Sequence, residues 1–360
     1  MTETTTDGPE YTGVAMQVSV KGVNRCTDRA SARARINENL RRIGEYTTTA
    51  AGFLKFFYGV PVRLVALPEY AVTGFPMKES PAEWRDRACL EQNGPEYEEL
   101  GRIAQKNDLF LSGNVYEIDP AFPELYFQTC FIIGPNGNVI LRYRRLTSCF
   151  EPTPHDVWDK YLDVYGPESI FPVARTEIGN LAMMPCGEIL WPETARCLTL
   201  RGAEVILHPT SDHGRTEFMA WESAKRTRAA ENMVYLVSAN AGGIEGGPPS
   251  GQNTGHSKIF DFQGRVLADT KSAGESTRAF AVIDVEMLRR ARCTPGGLFG
   301  VNRLARLRVE AYAPVYAAAS FYPPNLWADG PMKSKGQIQE ELVRVIERKV
   351  EAGTFMKPAD

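Results

Sequence analysis

The sequence predicts an α/β or α+β protein in which a large mixed sheet system is covered by helices. Three observations carry this. Short, nearly continuous apolar runs closed by Pro or Gly read as fully buried strands: VRLVALPEY (62–70), AEVILHPT (203–210) and MVYLVSANAGG (233–243). Amphipathic stretches lie between them. Residues 28–44 carry Ala30, Ile36, Leu40 and Ile43 at roughly helical spacing among arginines and glutamates, and residues 217–232 repeat the pattern and run into the strand at 233. Hairpins complete the picture. YFQTCFIIG (126–134) and VILRYRR (139–145) flank Pro135-Asn136-Gly137-Asn138, an Asn-Gly turn between β-rich arms, and GHSKIFDFQGRVLADT (255–270) has the same form. Strands alternating with helices and mixed with hairpins fit a layered sheet covered by helices.

Composition narrows the class of function. Lys plus Arg total 41 against 44 Asp plus Glu, a formal charge of −3, with no long run of like charge. That predicts neither a nucleic-acid binder nor an anionic-membrane binder. The opening MTETTTDGPE is polar and acidic rather than signal-like, and no apolar run approaches a membrane span. A soluble, cytoplasmic protein is expected. The 7 cysteines are odd in number, scattered, and never form a CxxC pair, which argues against a disulfide framework or a structural zinc site. His208 and His213 are five apart after a strand-like run, not four apart on a helix, so metal catalysis is not expected.

Residues 1–12 are expected to be a disordered N-terminus, 13–295 the main domain and 296–360 a C-terminal extension. EGGPPSGQNTG (245–255) reads as a Gly/Pro-rich loop of the kind that borders active sites. The extension ends in a helix at about 335–351. Ser334 and Gln337 have capping-box spacing, and Ile338, Leu342, Val345, Ile346 and Val350 form one apolar stripe. That stripe must be covered, either by its own subunit or by a neighbour.

The chemistry concentrates in NLAMMPCGEILWPETARCLTLRGAEVILHPT (180–210). NLAMMP reads as a strand, Pro192 and Glu193 suit the first turn of a helix, and Gly202 suits its stop. Cys186 therefore falls in a strand-to-helix turn, where the backbone N–H of Gly187 or Glu188 is free to bind a developing oxyanion. Position alone does not distinguish a nucleophile from a small buried cysteine. A nucleophile needs a base within hydrogen-bond reach, and Glu69 in LPEYAVTGFP (67–76) follows a buried strand where an unpartnered carboxylate is costly.

ALPEYAVTGFP, GPNGNVILRYRRL (134–146) and MPCGEILWPETAR (184–196), in this order, resemble the three signature segments of the nitrilase superfamily: a Glu after a strand, a Lys closing a Tyr-Arg-Lys run, and a Cys before a Trp-Pro-Glu-x-x-Arg helix. The similarity spans about residues 14–290. It implies a four-layer α-β-β-α sandwich, dimers that stack two sandwiches, and larger homo-oligomers built with a C-terminal extension. It also implies a small-molecule amide as partner and no cofactor, with Cys186 as nucleophile, Glu69 as base and a thioester intermediate.

One departure stands inside the motif. The family lysine is replaced by Arg145, in Tyr143-Arg144-Arg145; adjacent strand residues face opposite ways, so Arg144 does not stand in for it. A guanidinium donates to an oxyanion but gives up no proton. Glu151, shortly after Arg145, is a candidate for a further active-site carboxylate or a surface loop residue; neighbouring Cys149 reads as packing. The branch of N-carbamoyl amino-acid hydrolases carries arginines just before Trp191 to hold a substrate carboxylate. Here Ile189 and Leu190 stand there, so Gly187, Ile189, Leu190 and Trp191 form the expected oxyanion and substrate-binding set for an uncharged or hydrophobic carboxamide. Ile189 and Leu190 packing into the core is the alternative. An amidase is the leading expectation; nitrile hydrolysis, carbamoyl cleavage or acyl transfer, and a silent binding or assembly protein permitted by Arg145, are the others.

Overall fold

The computed structural model describes residues 10–148, 151–212, 219–245, 255–296, 302–330 and 333–358. Cys149, His213 and residues 246–254 of the Gly/Pro-rich loop lie outside the described residues. Strands β1 (Glu10–Ala15), β2 (Ser19–Val20), β3 (Val62–Ala66), β4 (Leu90–Glu91), β5 (Phe110–Ile118), β6 (Tyr126–Ile133) and β7 (Val139–Arg144) form the first half. The second half holds β8 (Ala174–Thr176), β9 (Gly179–Met183), β10 (Val205–Thr210), β11 (Tyr235–Asn240), β12 (Gly243–Ile244), β13 (Lys258–Phe260), β14 (Val266–Asp269) and β15 (Phe280–Asp284). The helices are α1 (Arg29–Tyr58), α2 (Pro81–Ala88), α3 (Pro95–Asn107), α4 (Trp158–Tyr165), α5 (Pro192–Leu200), α6 (Met219–Asn232), α7 (Val285–Cys293), α8 (Val309–Ala318) and α9 (Lys335–Glu351).

Two mixed sheets result. One runs β15-β1-β3-β5-β6-β7 with β4 attached to β5; the other runs β14-β13-β11-β10-β9-β8. Pairing is parallel at the centre of each sheet, through β1-β3-β5 and β9-β10-β11, and antiparallel along the rest of each strand order, while the attached β4 pairs β5 in parallel. The expected hairpins are β6–β7 and β13–β14.

Strand alternation builds the layers. Leu181 and Met183 face Ala15, Leu64 and Ala66 in a core between the sheets, while Ala182, between them in sequence, packs outward with Ala195 of α5 and Ala229 of α6. On the far side, Ile36, Leu40 and Ile43 of α1 and Leu100 of α3 cover Val65 and Leu111. The four layers are helix, sheet, sheet, helix, as the resemblance implied.

Two boundaries and one apolar stripe differ from expectation. β1 begins at Glu10, paired with Asp284, so the sheet starts before the expected domain edge at residue 13. Helix α1 continues to Tyr58, where Gly59 closes it in the left-handed conformation at φ 74°. The tail helix α9 has the expected Ser334–Gln337 capping box, but its stripe is divided: Ile338 and Val345 are buried while Leu342 and Ile346 are exposed. Among the described residues no helix is long and apolar enough to cross a membrane.

Candidate active site

Beyond β9 the chain passes Met184 and Pro185 and enters a 3-10 turn, Cys186–Leu190. Cys186 has φ +42°, a left-handed conformation that costs a residue with a Cβ roughly 1–2 kcal/mol and persists where the surroundings impose it. His208 of β10 does so: its Nε2 lies 2.9 Å from the Cys186 carbonyl and its Nδ1 2.9 Å from Ser238 Oγ.

Glu69, fully buried, sits just beyond β3. Backbone N–H groups beside it are engaged: Leu67 donates to the Ser112 carbonyl at 2.8 Å, Glu69 to the Thr210 carbonyl at 3.3 Å, and Tyr70 to Asn114 Oδ1 at 2.9 Å. Pro68 has no N–H to place. The carboxylate accepts from Gln128 Nε2 at 2.7 Å and Arg145 Nη1 at 3.3 Å on Oε1, and from the Ser211 hydroxyl at 2.6 Å on Oε2. The Cys186 thiol lies close enough to Glu69 and to the Ser211 backbone for both to act on its ionisation. Burial first, and then the Glu69 charge, push the thiol up to about 12. At neutral pH the sulfur therefore carries its proton and depends on a base to become a nucleophile.

Arg145 follows β7 directly. Its Nε donates to the Thr147 carbonyl at 2.7 Å and its Nη1 to Gln128 Oε1 at 2.9 Å. Burial opposes its charge, but Glu69 and the other acidic groups around it outweigh that and raise its pKa above the usual arginine value. Arg144 faces the other way, paired with Asp119 at 2.5 Å and lying over the Phe127 ring at 4.5 Å. The two arginines are thus divided between structure and site as the pleat requires.

Glu188, fully buried, ties the nucleophile turn to the end of β7. It accepts from Tyr143 Oη at 2.5 Å, Leu146 N at 2.6 Å and Thr147 N at 2.9 Å. Its own N–H donates to the Pro185 carbonyl at 3.0 Å, which leaves the Gly187 amide as the oxyanion donor of the two expected. A Cβ on Gly187 would lie 3.3 Å from Arg145 Nη2 and 3.7 Å from Trp221 Cη2, so both groups border that glycine.

The structure brings Cys186, Glu69, Arg145 and Gly187 together. Glu151 is buried rather than a surface loop residue. It accepts from Ser148 Oγ at 2.6 Å and from Tyr116 Oη at 3.4 Å, and Tyr116 stacks on Tyr70. Ile189 belongs to the core beneath α5 and α6, with Ala195 and Ala229, because the 3-10 turn points it inward; it is no substrate contact. Leu190 and Trp191 are partly exposed, and the Ile189 and Leu190 carbonyls accept from Arg228 at 3.0 and 3.3 Å. Gln128, Ser211, His208 and Trp221 are site neighbours that the sequence motifs did not supply. Among the described residues no group of three or more His, Cys, Asp or Glu is placed to hold a metal.

Residues 26–293 match the family described as Carbon-nitrogen hydrolase, most of the chain. The chain belongs to the carbon-nitrogen hydrolase family. Within it, the chain is 27% identical over 231 residues to the omega-amidase of Xenopus tropicalis, covering 64% of this chain and 79% of that protein. It is 26% identical over 215 residues to the deaminated glutathione amidase of Yersinia enterocolitica, 59% of this chain and 73% of that one. A nitrilase homolog of Dictyostelium discoideum matches at 26% over 202 residues, 56% of this chain but only 60% of the relative. Two solved carbon-nitrogen hydrolase structures share the fold. One, from Helicobacter pylori G27, has a TM-score of 0.63 at 20% identity, covering 86% of this chain and 99% of its own. The other is a mutant of the amidase from Nesterenkonia sp. AN1 with the acetamide moiety of fluoroacetamide on its active-site cysteine; its TM-score is 0.59 at 18% identity, with 85% and 97% covered.

Proposed function

We propose that this carbon-nitrogen hydrolase is an amidase that converts small linear carboxamides to the acid and ammonia, with Cys186 as nucleophile and Glu69 as base. The observation that carries the reading is a buried carboxylate, Glu69, held in place by Gln128, Ser211 and Arg145 close beside the Cys186 thiol. Glu69 takes the thiol proton as sulfur attacks the carbonyl carbon. The oxyanion that forms accepts from the Gly187 N–H and from Arg145 Nη2. Collapse of the tetrahedral species expels ammonia, which receives its proton from the protonated Glu69. Water then gives a proton to Glu69 and attacks the thioester carbonyl, and the acid leaves as the sulfur recovers that proton. Glu69 carries the proton in both halves, so Arg145 is asked only for charge and hydrogen bonds, which a guanidinium supplies.

The amidase names among the relatives support the same leaving group. Engagement of the nearby cations favours an uncharged acyl part. Among the described residues around the Cys186 turn, Lys225 is paired with Asp212, Arg228 holds two carbonyls and Glu231, and Arg145 is tied to Glu69, Gln128 and Thr147. None is left to clamp a substrate carboxylate.

The test is ammonia release from a panel of small amides, nitriles and carbamoyl compounds, with intact-mass detection of an acyl-enzyme. Amide turnover is expected, falling at least ~10³-fold in Cys186→Ala. Turnover of nitriles or carbamoyl compounds alone would replace the amidase reading with those chemistries. No acyl adduct with any compound would mean that the fold serves binding or assembly.

A further inference from the structure

A guanidinium and a carboxylate that meet freely pair fork on fork, through two parallel N–H···O bonds. Arg145 and Glu69 do not. They touch through one contact, Nη1 to Oε1 at 3.3 Å, and Gln128 bridges the two groups. Its Nε2 donates to the same Glu69 Oε1 at 2.7 Å while its Oε1 accepts from Arg145 Nη1 at 2.9 Å. Only this orientation of the amide satisfies both neighbours, because the carboxylate offers no donor and the guanidinium no acceptor. The rest of the frame works the same way. The Ser211 hydroxyl occupies Glu69 Oε2 at 2.6 Å, and the Thr147 carbonyl draws Arg145 Nε aside at 2.7 Å. What remains is Nη2, turned towards Gly187, 3.3 Å from where a Cβ there would stand.

We infer that Gln128 is the positioning residue that allows an arginine to serve in this site: it wedges the guanidinium off Glu69, which leaves the carboxylate free to take the Cys186 proton and aims Nη2 at the oxyanion. The inference rests on the amidase reading for the oxyanion, and on geometry alone for the wedge. Without the wedge, Arg145 closes onto Glu69 as a bidentate pair, and both catalytic functions are lost together. An ammonium has no fork to close. The requirement for Gln128 is therefore specific to arginine at position 145, which separates positioning from a general structural role.

The experiment is a double-mutant cycle on the full chain with Gln128→Leu and Arg145→Lys, singly and combined, and with Gln128→Met as a second isosteric variant should the first not fold. Two readouts are taken: ammonia release with the best amide of the panel, and the rate at which iodoacetamide alkylates Cys186, which reports proton removal from the thiol and needs no turnover. Loss of Gln128 is expected to lower kcat roughly tenfold or more with KM little changed, and to slow alkylation. In the Arg145→Lys background the same change is expected to cost at least about fivefold less, a coupling of the size that contacting residues show. Equal losses in both backgrounds, or a loss confined to KM, would overturn the inference. Should no amide be turned over, the amidase reading fails. The alkylation cycle then decides the wedge by itself: slowing that depends on Arg145 upholds it, and equal slowing or none removes it.

Discussion

His208 serves Cys186 without carrying charge. A carbonyl oxygen only accepts, so the Nε2 facing the Cys186 carbonyl carries the hydrogen, and Nδ1 accepts from the Ser238 hydroxyl. Burial first, and then the Lys225 charge, hold its pKa down to about 3. In the unfolded chain it titrates near 6.5. Between these values the unfolded state binds the extra proton, so this histidine contributes stability that is complete above about pH 6.5 and is lost as the pH falls towards 3. The expected outcome is an acid limb worth on the order of a few kcal/mol, seen in urea midpoints measured from pH 7 to 4 and flattened in His208→Gln. A parallel acid slope in the variant would assign the loss to other groups. The same residue marks what the sequence could tell. Cys186, Glu69 and Arg145 were legible because each closes a strand in a recognisable local run. Gln128 and Ser211 were not, because their roles exist only across 59 and 142 residues of chain, in bonds to Glu69. A signal for Gln128 was nonetheless present: an amide in the middle of YFQTCFII, a strand buried along its whole length, must have a partner.

The 3-10 turn Cys186–Leu190 is the element on which the site depends. Its two ends are used differently. Cys186 faces Glu69, while Glu188 accepts the N–H groups of Leu146 and Thr147 just past β7, and so fixes the distance between the nucleophile and Arg145. Removing that carboxylate strands two backbone donors and the Tyr143 hydroxyl in a buried place. Glu188→Ala is expected to destabilise the fold by about 2–4 kcal/mol in chemical denaturation and to lower kcat in whatever fraction remains folded. A folded Glu188→Ala protein with unchanged kcat would show that the turn holds Cys186 without this tie. A second substitution tests the crowded side of the turn. Gly187→Ala places a methyl 3.3 Å from Arg145 Nη2, and a kcat loss of roughly tenfold or more is expected with the melting temperature nearly kept. Turn chemistry of this kind was readable from Pro192 and Gly202, which bracket α5 as expected. The length of α1 was not. After residue 44 its apolar spacing breaks into Thr47-Thr48-Thr49 and an exposed aromatic end, so periodicity fades although the helix continues to its Gly59 stop.

At the scale of the whole molecule, the layers follow from patterning that the chain carries locally, because each strand's alternation decides which of two cores its side chains enter. Coverage of the outer faces does not follow in this way, since it depends on what approaches them. Helix α8 is the clearest case. None of its residues is buried, and Val315 is 69% and Tyr316 60% exposed in a segment that is otherwise almost wholly apolar. It lies against the start of α5, where the Tyr316 hydroxyl donates to Glu193 at 2.6 Å and Trp191 is also partly exposed. An apolar helix that none of the described residues covers is the kind of surface that a second copy of the chain buries. Self-association through α8 is therefore predicted, with the exposed half of the α9 stripe, Leu342 and Ile346, contributing where the mass exceeds a dimer. Light scattering behind size exclusion is expected to give a multiple of the 40.0 kDa chain mass, and Tyr312→Asp with Val315→Asp to reduce it. Because these two side chains are exposed, the melting of the separated subunit reports any folding defect independently. A monomer in the native protein, or an assembly that the double substitution leaves intact, would assign α8 no part in joining subunits.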